Sequence, residues 1–142
     1  MRTDVKRRGW TISAEGNDLA DRFLESVFFT GNGRMGARGY PAYRPIRRPL
    51  DAGLFLAGFY DRISDSTELT DFVNLPTPIW YQIRLNGRIP AIPSHLSRAL
   101  DLRTGLLTFR YRLSIADDWV DVQEQRFFSL AKPSFLFQRL EC

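Results

Sequence analysis

Residues 31–39 read GNGRMGARG, four glycines in nine positions, directly after the apolar run Val27-Phe28-Phe29. No other stretch limits the fold so strongly. Gly31, Gly33, Gly36 and Gly39 can take positive φ or let another segment approach closely, which a residue with a Cβ does only at a cost. Asn32 tolerates the left-handed region and suits a turn between two of them. Pro41, Pro45 and Pro49 follow, each with a fixed φ and no N–H donor. The residues favour a tight corner between two strands that packs on a neighbour, leading into an extended irregular loop over residues 40–49.

Functional readings of the corner fare less well. Gly31, Gly33 and Gly36 match G-x-G-x-x-G, but a dinucleotide site needs a helix to open at the loop and hold the pyrophosphate at its N-terminus. The prolines argue against such a helix. A Walker A loop is excluded, since no Gly-Lys-Ser/Thr follows. Arg34, Arg38 and their glycines are too few for an RNA-binding Arg-Gly tract.

Blocks along the whole chain carry a resemblance. Glu25-Ser26-Val27-Phe28, Gly31-Asn32-Gly33, Met35-Gly36 and Arg38-Gly39 are followed by Ala57-Gly58-Phe59-Tyr60-Asp61, by Glu68-Leu69 and by Val73-Asn74-Leu75-Pro76. Residues 98–108, RALDLRTGLLT, and Arg126-Phe127-Phe128-Ser129 complete the set. In this order the blocks resemble the N-terminal domain of glycoside hydrolase family 65, the maltose, trehalose and kojibiose phosphorylases and their hydrolytic relatives. The resemblance implies a two-sheet super-sandwich. It also implies that the catalytic glutamate and phosphate pocket lie in an (α/α)6 barrel following this domain, and that no metal or organic cofactor takes part.

Size and composition fit that expectation. A chain of 142 residues makes one domain. Its 44% hydrophobic and 25% charged content is that of a globular protein. Lys6 and Lys132 are the only lysines, so 18 of the 20 basic residues are arginine, the side chain suited to bidentate pairing and aromatic stacking. The runs Lys6-Arg7-Arg8 and Arg44 to Arg48 do not continue along a helix face. With a net charge of only +4, the reading is a solvated or ion-paired surface and no nucleic-acid partner. Cys142 is the only cysteine, which leaves no disulfide or zinc site within the chain. No apolar run approaches the ~20 residues of a membrane span and no signal peptide is visible, so the expected location is cytoplasmic.

Taken in order, residues 1–9 read as a basic, loosely docked tail and residues 10–142 as one mainly β, antiparallel sandwich domain. Trp10 and Ile12 alternate with polar neighbours as a first strand would. Asn17 or Asp18 could cap a short helix carrying Leu19, Phe23 and Leu24. Residues 54–60 are apolar on both faces, which predicts a strand covered on each side. A polar excursion fills 61–71. Ile79, Tyr81, Ile83 and Leu85 alternate with polar residues, a half-buried strand by period. Asn86-Gly87 is the preferred type I′ turn and predicts an antiparallel return over 88–92. Phe109, Tyr111, Leu113 and Ile115 give the clearest strand, and Asp117-Asp118 turns it back into 119–130. There Phe127-Phe128 suggests a bulge or a doubly covered end. Residues 135–140 read as one more strand.

Glycoside cleavage needs an acid and a nucleophile or activated water. Glu15, Glu25, Glu68, Asp101, Glu124 and the pair Asp117-Asp118 are the main carboxylates to consider. Asp117 and Asp118 read as turn formers, and Asp101 as a partner of Arg98 or Arg103 or a turn cap. His95, the only histidine, reads as a solvated loop residue. Trp10, Trp80 and Trp119 could stack on sugar rings, but their place on strands favours core packing. The sequence therefore assigns no catalytic, cofactor-binding or metal-binding residue. It predicts a domain inactive alone that scaffolds the barrel, with an independent carbohydrate-binding or assembly module as the second reading. The apolar strand 135–140 ends at the chain terminus, so its edge calls for missing strands or a second copy of the chain.

Overall fold

The computed structural model describes residues 4–16, 22–43, 53–62, 70–91, 93 and 95–142. Along the chain these form β1 (Val5–Arg8), β2 (Thr11–Gly16), α1 (Arg22–Val27), β3 (Thr30–Gly31), β4 (Met35–Ala37), β5 (Leu54–Leu56), β6 (Tyr60–Arg62) and β7 (Thr70–Phe72). They continue with β8 (Leu96–Asp101), β9 (Leu106–Ile115), β10 (Asp118–Phe128) and β11 (Leu136–Glu141). One six-stranded antiparallel sheet runs β1-β2-β8-β9-β10-β11, beside a three-stranded sheet β3-β4-β5 and the pair β6-β7. The mainly antiparallel, sandwich-like architecture expected from the sequence is what the chain adopts.

Period-two patterning builds the large sheet. Leu107, Phe109, Tyr111 and Leu113 of β9 face inward beside Leu96 and Leu100 of β8 and Val122 of β10. Each such side chain contributes about 1.5–3 kcal/mol when fully buried. Leu24 and Phe28, from α1 and its exit, cover this face together with Tyr43. Farther along, Phe128 packs against Ala37 and Leu54 of the three-stranded sheet and against Ile79. The small sheet thus forms part of a second layer on the inner face of the large one.

The glycine corner is the β3–β4 hairpin. Gly33 turns it with φ of 84°. Gly39, just beyond β4, meets α1 so closely that a Cβ there would lie 2.3 Å from Phe28 Cβ and 2.6 Å from the Phe28 carbonyl oxygen. Its N–H donates to the Glu25 carbonyl at 2.8 Å. Asn32 closes the hairpin as an Asx turn, its Oδ1 accepting from the N–H groups of Arg34 and Met35. Its Nδ2 donates to the carbonyls of Ser129 and Pro133, which ties the corner to the β10–β11 connection.

Several sequence expectations need correction. The basic segment read as a loose tail contains β1, which pairs with β2 from Val5↔Ala14 to Arg8↔Thr11. Trp10 lies in the turn between them, not on a strand. The single strand expected over 54–60 is split, because Gly58 takes φ of 80° between β5 and β6, and Phe59 and Tyr60 are exposed. The alternation from Ile79 to Leu85 survives as alternating burial, but no ladder forms. Only the bridge Leu85↔Arg88 flanks the Asn86-Gly87 turn, whose φ values of 48° and 77° are those of a type I′ turn. Phe127 and Phe128 produce no bulge. The β10–β11 register runs unbroken through Phe127↔Phe137 and Phe128↔Leu136, with Phe128 inside and Phe127 outside. The helix cap proposed at Asn17 or Asp18 lies outside the described residues. Within α1, Leu24 is buried and Phe23 is exposed.

These contacts separate two kinds of glycine. Gly39→Ala is expected to cost about 3 kcal/mol, because rigid backbone and Cβ atoms of Phe28 occupy the space. Gly33→Ala meets nothing within 4 Å and carries only left-handed strain of about 1–2 kcal/mol. Urea unfolding of the two variants should show the larger loss of midpoint for Gly39→Ala.

Candidate functional site

Inward alternation along β10 places Val120, Val122, Glu124, Arg126 and Phe128 on one face. Two of these five are charged, and both are fully buried. Arg126 lies with its guanidinium 5.2 Å from the ring centroid of Tyr40 and 5.1 Å from that of Phe109. Its Nη2 donates to the carbonyl oxygens of Arg38 at 2.9 Å and Tyr40 at 2.6 Å. Its Nη1 stands 3.7 Å from Glu124 Oε1. The Oε2 atom of Glu124 accepts from the Ala42 N–H at 2.9 Å and from the Tyr81 hydroxyl at 3.2 Å. Gln138 of β11 donates to the Ile79 carbonyl and approaches Glu124 Oε1 at 3.4 Å.

This centre binds the protein's own backbone. Residues 38–42 run irregularly beneath the sheet, where unpaired carbonyl and N–H groups would be costly. Two neighbouring side chains of β10 supply the missing partners: a cation for two carbonyls and an anion for one N–H. Tyr81 and Tyr111 extend the network through a 2.7 Å hydroxyl contact. The Tyr40 hydroxyl donates to Thr77 Oγ1 at 2.8 Å.

Burial sets the proton affinities. Desolvation raises the Glu124 carboxyl above its ordinary value, opposed by Arg126, the Ala42 N–H, Tyr81 and Gln138. Burial likewise lowers Arg126, opposed by Glu124. The phenols of Tyr40, Tyr81 and Tyr111 are all pushed up, chiefly by burial. A raised carboxyl pKa alone could suggest a general acid. Here the carboxyl faces packed protein and is occupied by internal donors.

The other sequence candidates are scattered. Glu25 is buried on α1. Asp101 caps the β8–β9 turn, its Oδ1 accepting from the Arg103 N–H at 2.8 Å. Asp117 lies in the β9–β10 turn beside Ala116, whose φ is 51°, and Asp118 accepts from Asn86 Nδ2 at 2.7 Å. Glu15 is exposed, and Glu68 lies outside the described residues, as does the Arg44 to Arg48 run. His95 is exposed just before β8 and borders a surface groove. Among the described residues, no three His, Cys, Asp or Glu side chains cluster in a way that could hold a metal ion. No described helix is long and apolar enough to cross a membrane.

The tryptophans overturn an expectation. Trp10, Trp80 and Trp119, read as core residues, are 56%, 48% and 60% exposed. Trp119 alternates to the outer face of β10, where Arg112 lies 4.3 Å from its ring centroid; Arg103 lies 5.5 Å from that of Trp10. Sequence reasoning also missed the Glu124–Arg126 centre. The signal was available, because extending the Val120, Val122 phase by two further steps puts both charges on the apolar face.

The chain is thus a layered antiparallel domain whose interior ions fasten its own loops. The chain matches the family model described as glycosyl hydrolase family 65, N-terminal domain, over residues 14–142, and it belongs to that family. It is also similar to trehalose 6-phosphate phosphorylase of Lactococcus lactis subsp. lactis (strain IL1403), with 26% identity over 123 residues. That match covers 79% of this chain and spans 16% of the relative's length.

Glu124→Ala should destabilise the domain by about 3–5 kcal/mol, because it leaves the Arg126 cation buried without its counter-ion. Chemical denaturation measures the loss. The raised carboxyl also has a pH signature. A group that binds its proton more tightly when folded adds stability below its unfolded pKa, and this is lost as pH rises through the folded pKa. Unfolding midpoints should therefore fall as pH climbs above the ordinary carboxylate range. Glu124→Gln should flatten that part of the profile, and an unchanged slope would refute the assignment.

Proposed function

We propose that this chain is a non-catalytic β domain of an α-glucoside phosphorylase or hydrolase, and that it shapes and supports a separate (α/α)6 catalytic barrel. The parent enzyme would cleave an α-linked glucosyl disaccharide by phosphorolysis or hydrolysis. One observation carries the reading. Glu124, a carboxylate with a raised pKa, points into the protein and holds Ala42 and Tyr81 instead of facing a cleft. Membership of the family and similarity to a named phosphorylase support a parent enzyme of this reaction class. The large sheet also offers a surface for a partner, since β11 is its edge strand and Phe127, Phe135 and Phe137 are exposed there. That surface suits the barrel and, in an assembled enzyme, contacts between copies.

A second reading, a carbohydrate-binding module, is favoured by the three exposed indoles. Such rings can cover the apolar side of a pyranose.

Activity separates scaffold from enzyme. The chain alone should release neither glucose nor glucose 1-phosphate from maltose, trehalose or kojibiose with phosphate present. Turnover by the isolated chain, lost on Glu124→Gln with the fold intact, would reverse the assignment.

A further inference from the structure

The outer face of the large sheet carries an open groove of about 650 Å³, bordered by His95, Ser97, Arg110, Asp121, Gln123 and Glu141. Strand alternation puts these side chains opposite the core. Register then arranges them in rows. Ser97, Arg110, Gln123 and Glu141 are consecutive Cα partners across β8, β9, β10 and β11, so they form one rung four strands wide. Arg112↔Asp121 is the next rung on this face, and Ser114↔Trp119 the one after it. Successive rungs on one face are roughly 7 Å apart, two residues along each strand.

Side chains within the rungs hold one another in place. Arg110 Nε donates to Gln123 Oε1 at 2.8 Å, and Gln123 Nε2 donates to Glu141 Oε2 at 2.9 Å. Arg112 grips both oxygens of Asp121, at 2.6 and 2.7 Å, while lying over the Trp119 ring. Those bonds keep the Asp121 carboxyl below its usual range. Glu141 also pairs with Arg139. Burial does not account for this ordering, since Arg112 and Asp121 are more than half exposed.

We propose that this groove binds a neutral oligosaccharide, with the planar side chains of the first two rungs meeting its hydroxyls and Trp119, one rung beyond and stacked with Arg112, standing at its border. The inference rests on the carbohydrate-binding reading and gives it a location. Sugar hydroxyls donate and accept at once, so they suit a surface of paired donors and acceptors in fixed planes. Groups already held by their neighbours lose little conformational freedom on binding. The groove's two arginines, Arg110 and Arg112, are matched by its two carboxylates, Asp121 and Glu141, which favours a neutral ligand over a phosphorylated one.

Maltotetraose is the probe, titrated into the full chain while amide shifts are followed by NMR and indole emission by fluorescence. Millimolar sugar should move the amide signals of Ser97, Arg110, Asp121 and Gln123 and change Trp119 emission. Arg110→Ala and Asp121→Asn should each weaken binding roughly tenfold or more with unchanged circular dichroism. The wild-type shift map tests the site even if a variant misfolds. Shifts centred on Trp10 or Trp80 would overturn the site while leaving a carbohydrate-binding role in place. No shift at tens of millimolar maltotetraose would remove both. Binding only of glucose 6-phosphate or inorganic phosphate would overturn the choice of a neutral ligand.

Discussion

Arg126 holds two carbonyl oxygens of a segment that has no strand to pair with, and the layering of the domain depends on that grip. Residues 38–42 cross beneath the large sheet as irregular backbone. Their polar groups are met from three sides: Arg126 and Glu124 from β10, the Glu25 carbonyl from α1, and Gly53 through the Arg38 N–H. Gly39 can occupy this place only because it lacks a side chain. The close approach to Phe28 and the guanidinium beneath are two halves of one arrangement. Neither charge is stabilising by itself, since desolvating an ion pair can cost more than the pairing returns. What the pair provides is one permitted position for the corner.

The two faces of the sheet consequently differ in chemistry. Its inner face mixes Leu107, Phe109 and Leu113 with two buried charges, Glu124 and Arg126, that bond to the chain's own backbone. Its outer face is a lattice of solvated pairs, from Arg110 and Gln123 to Arg112 and Asp121. Exposed pairs of this kind contribute little to stability. Their order is a matter of surface shape, not of holding the fold together.

Much of this was legible in the amino-acid order, for reasons that also explain the misses. The β9–β10 hairpin has a clean period of two and a short turn, so local pattern sufficed. Asn86-Gly87 was legible because few dipeptides tolerate positive φ twice. The stretch from Ile79 to Leu85 shows the same alternation yet forms no ladder, because burial follows the period while pairing needs a neighbouring strand in register. The tryptophans were misplaced by residue type. Their size suggests a core, but position decided the matter: Trp119 falls on the outward phase of β10, and Trp10 in a turn. Glu124 and Arg126 were missed for the opposite reason, since charge suggests solvent while their phase pointed inward. Asp101 and Asp117 were legible as turn residues, but the role of Glu124 was not, because the donors that occupy it come from Ala42 and Tyr81, far away in the chain.

That separation governs the order of assembly. The β9–β10 hairpin closes between neighbours in sequence, whereas the bond from Arg126 to the Tyr40 carbonyl spans 86 residues and that from Asn32 to the Ser129 carbonyl spans 97. Distant closures come slowly. Until the corner arrives, the young hairpin shows water a cation and an anion, which keeps its apolar face wetted and discourages it from clumping with its fellows.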